Sequence, residues 1–155
     1  MKKAILAAAM AAVFLIVTGI IGYMIQLEDK PKLEICKGSA ACFIGKVTEV
    51  TDGDTIKVQG AAIRLALTST PELHESGGIN AREYTLSTCP VGSIATVDED
   101  DGQKEGSFGR TVAVVYCGDK LLNAAILDSK LGVISKEFCG KSEFGTEDWA
   151  KRNGC

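Results

Sequence analysis

The chain reads as an α+β protein, mainly β: one domain built on a small five-stranded barrel with about three helices, behind an N-terminal apolar span. Three observations lead there. From Phe43 onward, short alternating or β-branched runs recur between Gly- and Asp-containing turns, the pattern of short antiparallel strands. One helix-compatible stretch interrupts them after the third run. Ahead of them, Ala4 to Ile25 carries no charge and follows Met1-Lys2-Lys3.

That first run is long enough to cross a bilayer core, which takes about 20 apolar residues. A cleaved signal peptide has a shorter apolar region, about 7–15 residues, and a small-x-small site. Here the run ends in Gly22-Tyr23-Met24-Ile25, with no such site and with Tyr23 where an interfacial aromatic sits. Residues 1–26 are therefore expected to be an uncleaved signal anchor that meets the membrane through residues 4–25, a cleaved signal peptide being the alternative. Lys2 and Lys3 before the span, against Glu28 and Asp29 after it, place the N-terminus in the cytoplasm. The domain is then extracytoplasmic on a single-pass anchor, or secreted after cleavage. Residues 27–42 read as a polar tether, in which Pro31 stops any helix continuing from the span, and residues 43–155 as the domain.

Within the domain, Ile44 to Val50 alternates, Asp52-Gly53 turns the chain, and Thr55 to Val58 returns. Gly60-Ala61 turns it again, and Ile63 to Leu67 completes a meander. A loop through Pro71 to Gly78 leads to a helix over about 79–87. Ser93 to Val97 and Thr111 to Tyr116 are the last two strands. The acidic run Asp98-Glu99-Asp100-Asp101-Gly102 between them lacks the ligand spacing of an EF-hand loop and is expected to be a solvated hairpin turn. Leu121 to Leu131 is an apolar helix stopped by Gly132. Ser142 to Asn153 has a weaker helical pattern, with Phe144 and Trp149 as packing anchors. Five strands with a helix between the third and fourth match a Greek-key barrel of the OB type.

The cysteines agree with export. Six in 155 residues is an even number that an oxidising compartment would pair. The absence of Cys-x-x-Cys spacing and the presence of one histidine speak against zinc. Six cysteines allow 15 connectivities; the working expectation is Cys36–Cys42, Cys89–Cys117 and Cys139–Cys155. Net charge is −3, and setting aside Lys2 and Lys3 leaves 15 basic against 20 acidic residues, near −5. Such a domain attracts a polyanion through local charge rather than a basic surface.

Four pieces carry chemistry: Asp52-Gly53-Asp54-Thr55, Arg64-Leu65-Ala66-Leu67, Thr70-Pro71-Glu72 and Phe108-Gly109-Arg110. Each is common alone. Together they suit phosphodiester hydrolysis, in which negative charge builds on the non-bridging oxygens as water attacks and must meet cations and a base. Asp54, at the mouth of the first hairpin, can give a carboxylate to Ca²⁺. Arg64 and Arg110 can each present paired N–H groups to phosphate. Glu72, just past the third strand, can orient or deprotonate the water. His74 reads as a solvated loop residue.

The stretches Val47 to Val58, Ile63-Arg64-Leu65 through Thr70-Pro71-Glu72, Ser107 to Arg110, and Leu122-Asn123-Ala124-Ala125 resemble a thermonuclease (staphylococcal-nuclease-like) domain over Gly45 to about Trp149. The resemblance implies an OB-fold endonuclease that cuts DNA and RNA with Ca²⁺, leaves 3′-phosphate ends, and needs no organic cofactor. It implies Asp54 as metal ligand, the Thr70 carbonyl as another, Asp52 as support of the metal site, Glu72 as general base, and Arg64 and Arg110 as phosphate clamps. Where that family has a second metal-binding aspartate, this chain has Ser69, so Ca²⁺ is expected to bind weakly. The aromatic platform is reduced to Phe138, with Lys136 nearby, and Ser107-Phe108 replaces a basic-aromatic pair. The expected reading is a monomeric, metal-dependent nuclease outside the cytoplasm. A non-catalytic OB module that binds nucleic acid or a protein partner at the cell surface is the alternative.

Overall fold

A computed structural model describes residues 35–155. The expected membrane span, and the tether as far as residue 34, lie outside the described residues. Among the described residues no helix is long and apolar enough to cross a membrane.

Five strands close a barrel: β1 (Cys42–Val50), β2 (Thr55–Val58), β3 (Ala61–Leu65), β5 (Ile94–Glu99) and β6 (Thr111–Cys117). The order is β3-β2-β1-β5-β6, antiparallel throughout, and a parallel β3–β6 pairing completes the ring. This closed topology is compatible with an OB-fold. Three short strands lie outside the ring. β4 (Thr68–Ser69) pairs with β8 (Val133–Ile134) in a separate ribbon, and β7 (Lys120–Leu121) turns back to pair antiparallel with the end of β6. Three α-helices complete the fold: α1 (Gly78–Thr88), α2 (Leu122–Asp128) and α3 (Asp148–Asn153).

Side chains alternate across a strand, and β6 uses both of its faces. Ala113 and Val115 join Val47, Ile56, Ile63 and Val97 inside the barrel. Val112 and Val114 point the other way, into a second apolar cluster with Leu127, Phe144 and Trp149. That double burial is why Val112 to Cys117 is an unbroken apolar run rather than an alternating one. In β1 the register shifts between Val47 and Glu49. The bulge at Thr48 lets Val47 and Val50, three residues apart, both face inward. Buried Asn123 pins α2 to the barrel: its Oδ1 accepts from Val115 N at 3.0 Å, and its Nδ2 donates to Ala66 O at 2.9 Å and Ala113 O at 3.2 Å.

Three disulfides join Cys36–Cys42, Cys89–Cys117 and Cys139–Cys155. The second ties the end of α1 to the end of β6 inside the core, and the third fastens the C-terminus below α3. Such cross-links belong to an oxidising environment, which suggests an extracytoplasmic or secreted location.

Two expectations are corrected. The segment from Ser142 to Asn153 is not one helix: a 3-10 turn over Glu143–Thr146 and then α3 flank Glu147, whose backbone is extended. The acidic run is not a solvated turn either. β5 continues to Glu99, Asp98 and Asp100 are buried, and the carboxylates bind backbone amides. Asp100 accepts from Gly102 N, Gln103 Nε2 and Glu143 N. Asp98, Glu99 and Asp101 accept from Lys37 N, Ala41 N and Ser39 N. The stretch ahead of β1, expected as the end of a polar tether, is thereby strapped to the barrel, with a further ion pair from Lys37 to Glu147.

Asp98 is expected to make this strap pH-sensitive. Burial raises its carboxyl pKa, the Lys37 amide opposes the rise, Glu143 and Asp101 add to it, and the Lys37 ammonium opposes it. Tyr116, itself raised by burial and by Asp98, faces the same group. A carboxyl whose folded-state pKa lies above its unfolded value of about 3.9 favours the fold while protonated and loses that contribution as pH rises through the folded value. Asp98→Asn is therefore expected to gain stability over the parent progressively from about pH 4 upward, read as urea midpoints across pH. A constant offset at every pH would show that this carboxyl does not titrate there.

Candidate functional site

The parallel pairing that closes the barrel also builds the site. It sets Ile63 opposite Thr111 and Arg64 opposite Val112, so Arg64 and Arg110, far apart in sequence, end at the same rim. Arg110 follows a two-residue reverse turn in which Phe108 and Gly109 both have left-handed φ, 52° and 77°, as primed hairpin turns require. The turn leaves Phe108 99% exposed. It also holds Arg110, whose Nε donates to Ser107 O at 3.0 Å and Nη2 to Ser107 Oγ at 3.3 Å.

Asp54 lies under this rim, 1% exposed. The Asp52 carboxylate accepts the Asp54 amide at 3.0 Å and shapes the turn. Asp54 Oδ1 accepts from Arg64 Nη1 and from Thr55 Oγ1; Oδ2 accepts from Thr70 N at 2.6 Å and Thr70 Oγ1 at 3.1 Å. Thr70 thus serves Asp54 with its amide and hydroxyl. Gly53 permits this approach, because a Cβ there would stand 2.6 Å from both Thr70 Oγ1 and Ala81 Cβ. The Gly53 carbonyl accepts from Thr85 Oγ1 at 2.6 Å, which locks the turn to α1.

Arg64, Ser69, Glu72 and Arg110 line one cleft of about 420 Å³, with Phe108 and Phe138 also on its wall. Arg64 Nη2 lies 3.4 Å from Ser69 Oγ. Burial lowers the Arg64 pKa and the neighbouring Arg110 charge lowers it further, while Asp52 and Glu72 raise it. Glu72 is exposed and sits in a capped loop, its amide donating to Glu75 Oε2 at 2.8 Å and its carbonyl accepting from Glu75 N at 2.8 Å. Gly78 lets α1 start against that loop, since a Cβ would stand 1.9 Å from Glu72 O.

Of the predicted residues, Arg64, Glu72, Arg110 and Ser69 share the cleft, while Asp54 is buried behind Arg64 and is held by half-buried Asp52 and Thr70. His74 is an exposed loop residue and Trp149 a buried packing residue. Thr55 also takes part, a role that no motif announces. Its hydroxyl donates to Asp54 and accepts from Arg110 Nη1 at 3.3 Å, linking the two residues. A threonine directly after the aspartate, opening β2 opposite Arg64, was the available signal. Gln103, Glu105, Glu137 and Lys141 also line the cleft from segments with no motif.

No family model matches the chain. The chain is similar to an uncharacterized protein of Bacillus anthracis, 34% identical over 104 residues, which cover 61% of this chain and 48% of that protein. The chain spans about half the length of this relative.

Proposed function

We propose that the cleft is a nucleic-acid phosphodiester site and that the protein is an extracytoplasmic endonuclease of the thermonuclease type. One observation carries the reading: two guanidinium groups and a glutamate, from three separate elements, line one cleft above a buried, fully hydrogen-bonded aspartate. Two arginines suit the non-bridging oxygens of one phosphate, and their charge counts most where charge grows during attack. Glu72 takes a proton from water, and the resulting hydroxide attacks phosphorus. One P–O ester bond breaks, the leaving oxygen is protonated from solvent, and a phosphate end and a hydroxyl end result. Phe108 and Phe138 offer apolar faces to the bases beside that phosphate.

Calcium, which the family resemblance implies, takes six to eight oxygen ligands. A carboxylate offers about four lone-pair positions, and Asp54 already accepts four hydrogen bonds, one from a cationic guanidinium. Ser69 brings no charge. This donor set does not fit a calcium ion as it is arranged.

The same saturation favours a second reading, a module that grips phosphate without cutting. A labelled oligonucleotide incubated with the purified protein separates the two. Progressive shortening, at a rate proportional to protein and absent from a preparation lacking Arg110, is the expected result. Stable binding with no shortening supports the module, and neither binding nor shortening sinks both readings.

A further inference from the structure

We infer that the Arg64 guanidinium holds the place of a divalent cation, bridging the buried Asp54 carboxylate and the incoming phosphate so that the site grips a phosphodiester without metal. This rests on the cleft being a phosphodiester site, but goes beyond it by assigning the cation.

A metal ion at such a site has two duties: it neutralises the buried carboxylate below and polarises the phosphate oxygens above. Arg64 is placed for both. Its Nη1 meets Asp54 Oδ1, and its Nη2 points to Ser69 Oγ at 3.4 Å. A guanidinium has five N–H donors, more than these two contacts use, and Arg64 lines the cleft together with Arg110. The ion pair joins a nearly fully buried carboxylate to a guanidinium only partly open to the cleft. Its charge is balanced without any added ion.

The surroundings are matched to one positive charge, not to two more. Asp54 has no lone pair left, because Thr55 and Thr70 take the positions that Arg64 does not. A divalent cation inserted here would lie against the Arg64 charge, with Arg110 on the wall of the same cleft. Ser69, at hydrogen-bond range of Arg64, contributes a neutral hydroxyl where a second carboxylate would be needed to hold both cations. The neutral residue at position 69 and the inward reach of Arg64 are then one adaptation.

The test measures binding of a labelled single-stranded oligonucleotide to the full-length protein by fluorescence anisotropy, in excess EDTA and in millimolar calcium. The expected result is a dissociation constant that agrees within about two-fold between the two conditions, calcium adding only general screening. Arg64→Gln is expected to weaken binding at least about tenfold in EDTA, the worth of a charge-assisted hydrogen bond. It should also make binding calcium-responsive, because Asp54 regains a free oxygen. Wild-type binding that is tenfold or more tighter with calcium than with EDTA would overturn the inference and leave the phosphodiester reading standing. No binding in either condition would overturn the phosphodiester reading, and the inference with it.

Discussion

Glu72→Gln is expected to slow oligonucleotide cleavage by about 10²–10⁴-fold, the range a positioned general base contributes. The amide keeps the size of the side chain and loses the ability to take a proton. Folding should be untouched, because Glu72 is exposed and the two bonds that hold its loop run through its backbone amide and carbonyl to Glu75. The comparison therefore pairs a cleavage rate with a urea midpoint. A tenfold loss or less, or a loss that tracks a shifted midpoint, would remove Glu72 from the role of base.

The largest stability effect is expected at Asp54. Asp54→Ala should cost about 3 kcal/mol, at the lower end of what breaking a buried ion pair costs. Four donors lose their acceptor together: the Arg64 guanidinium, the Thr55 hydroxyl, and the amide and hydroxyl of Thr70. The two threonine hydroxyls can rotate to other partners. The Thr70 amide cannot, and an unmade buried hydrogen bond alone costs about 1–3 kcal/mol. Arg64 borders the cleft and can turn to water, which keeps the figure from the upper end of the range. Asp54→Asn retains an acceptor oxygen and should cost less. Chemical denaturation of both variants checks the order; a loss below about 1 kcal/mol for the alanine would mean that the carboxylate is not the anchor of this turn.

The parts legible in the sequence were those where local chemistry and tertiary demand agree. The meander from β1 to β3 has turn residues at each reversal, and Thr111 to Cys117 is so β-branched that no other element suits it. The sequence misleads where a long-range partner decides. Ile63 to Leu67 reads as one strand, yet Leu67 adopts a left-handed φ of 59°, ends β3 at Leu65 and delivers Thr68–Ser69 to a different ribbon with β8. The acidic run looks solvated because nothing near it in sequence announces the amides of residues 37–41 and 143 that it binds. At the candidate site, three residues singled out from their motifs, Arg64, Glu72 and Arg110, line one cleft. The depth of Asp54 was not legible, since burial of a turn aspartate depends on Thr70 and Arg64 folding over it.

The joint between β3 and β6 has one more consequence. The two guanidinium groups sit on opposite sides of the seam that seals the cylinder, so neither half of the molecule carries both walls of the cleft. A copy that unzips along that seam pulls the two guanidinium groups apart, and on the proposed reading a phosphate bound across them would act as a rivet, holding that contact shut.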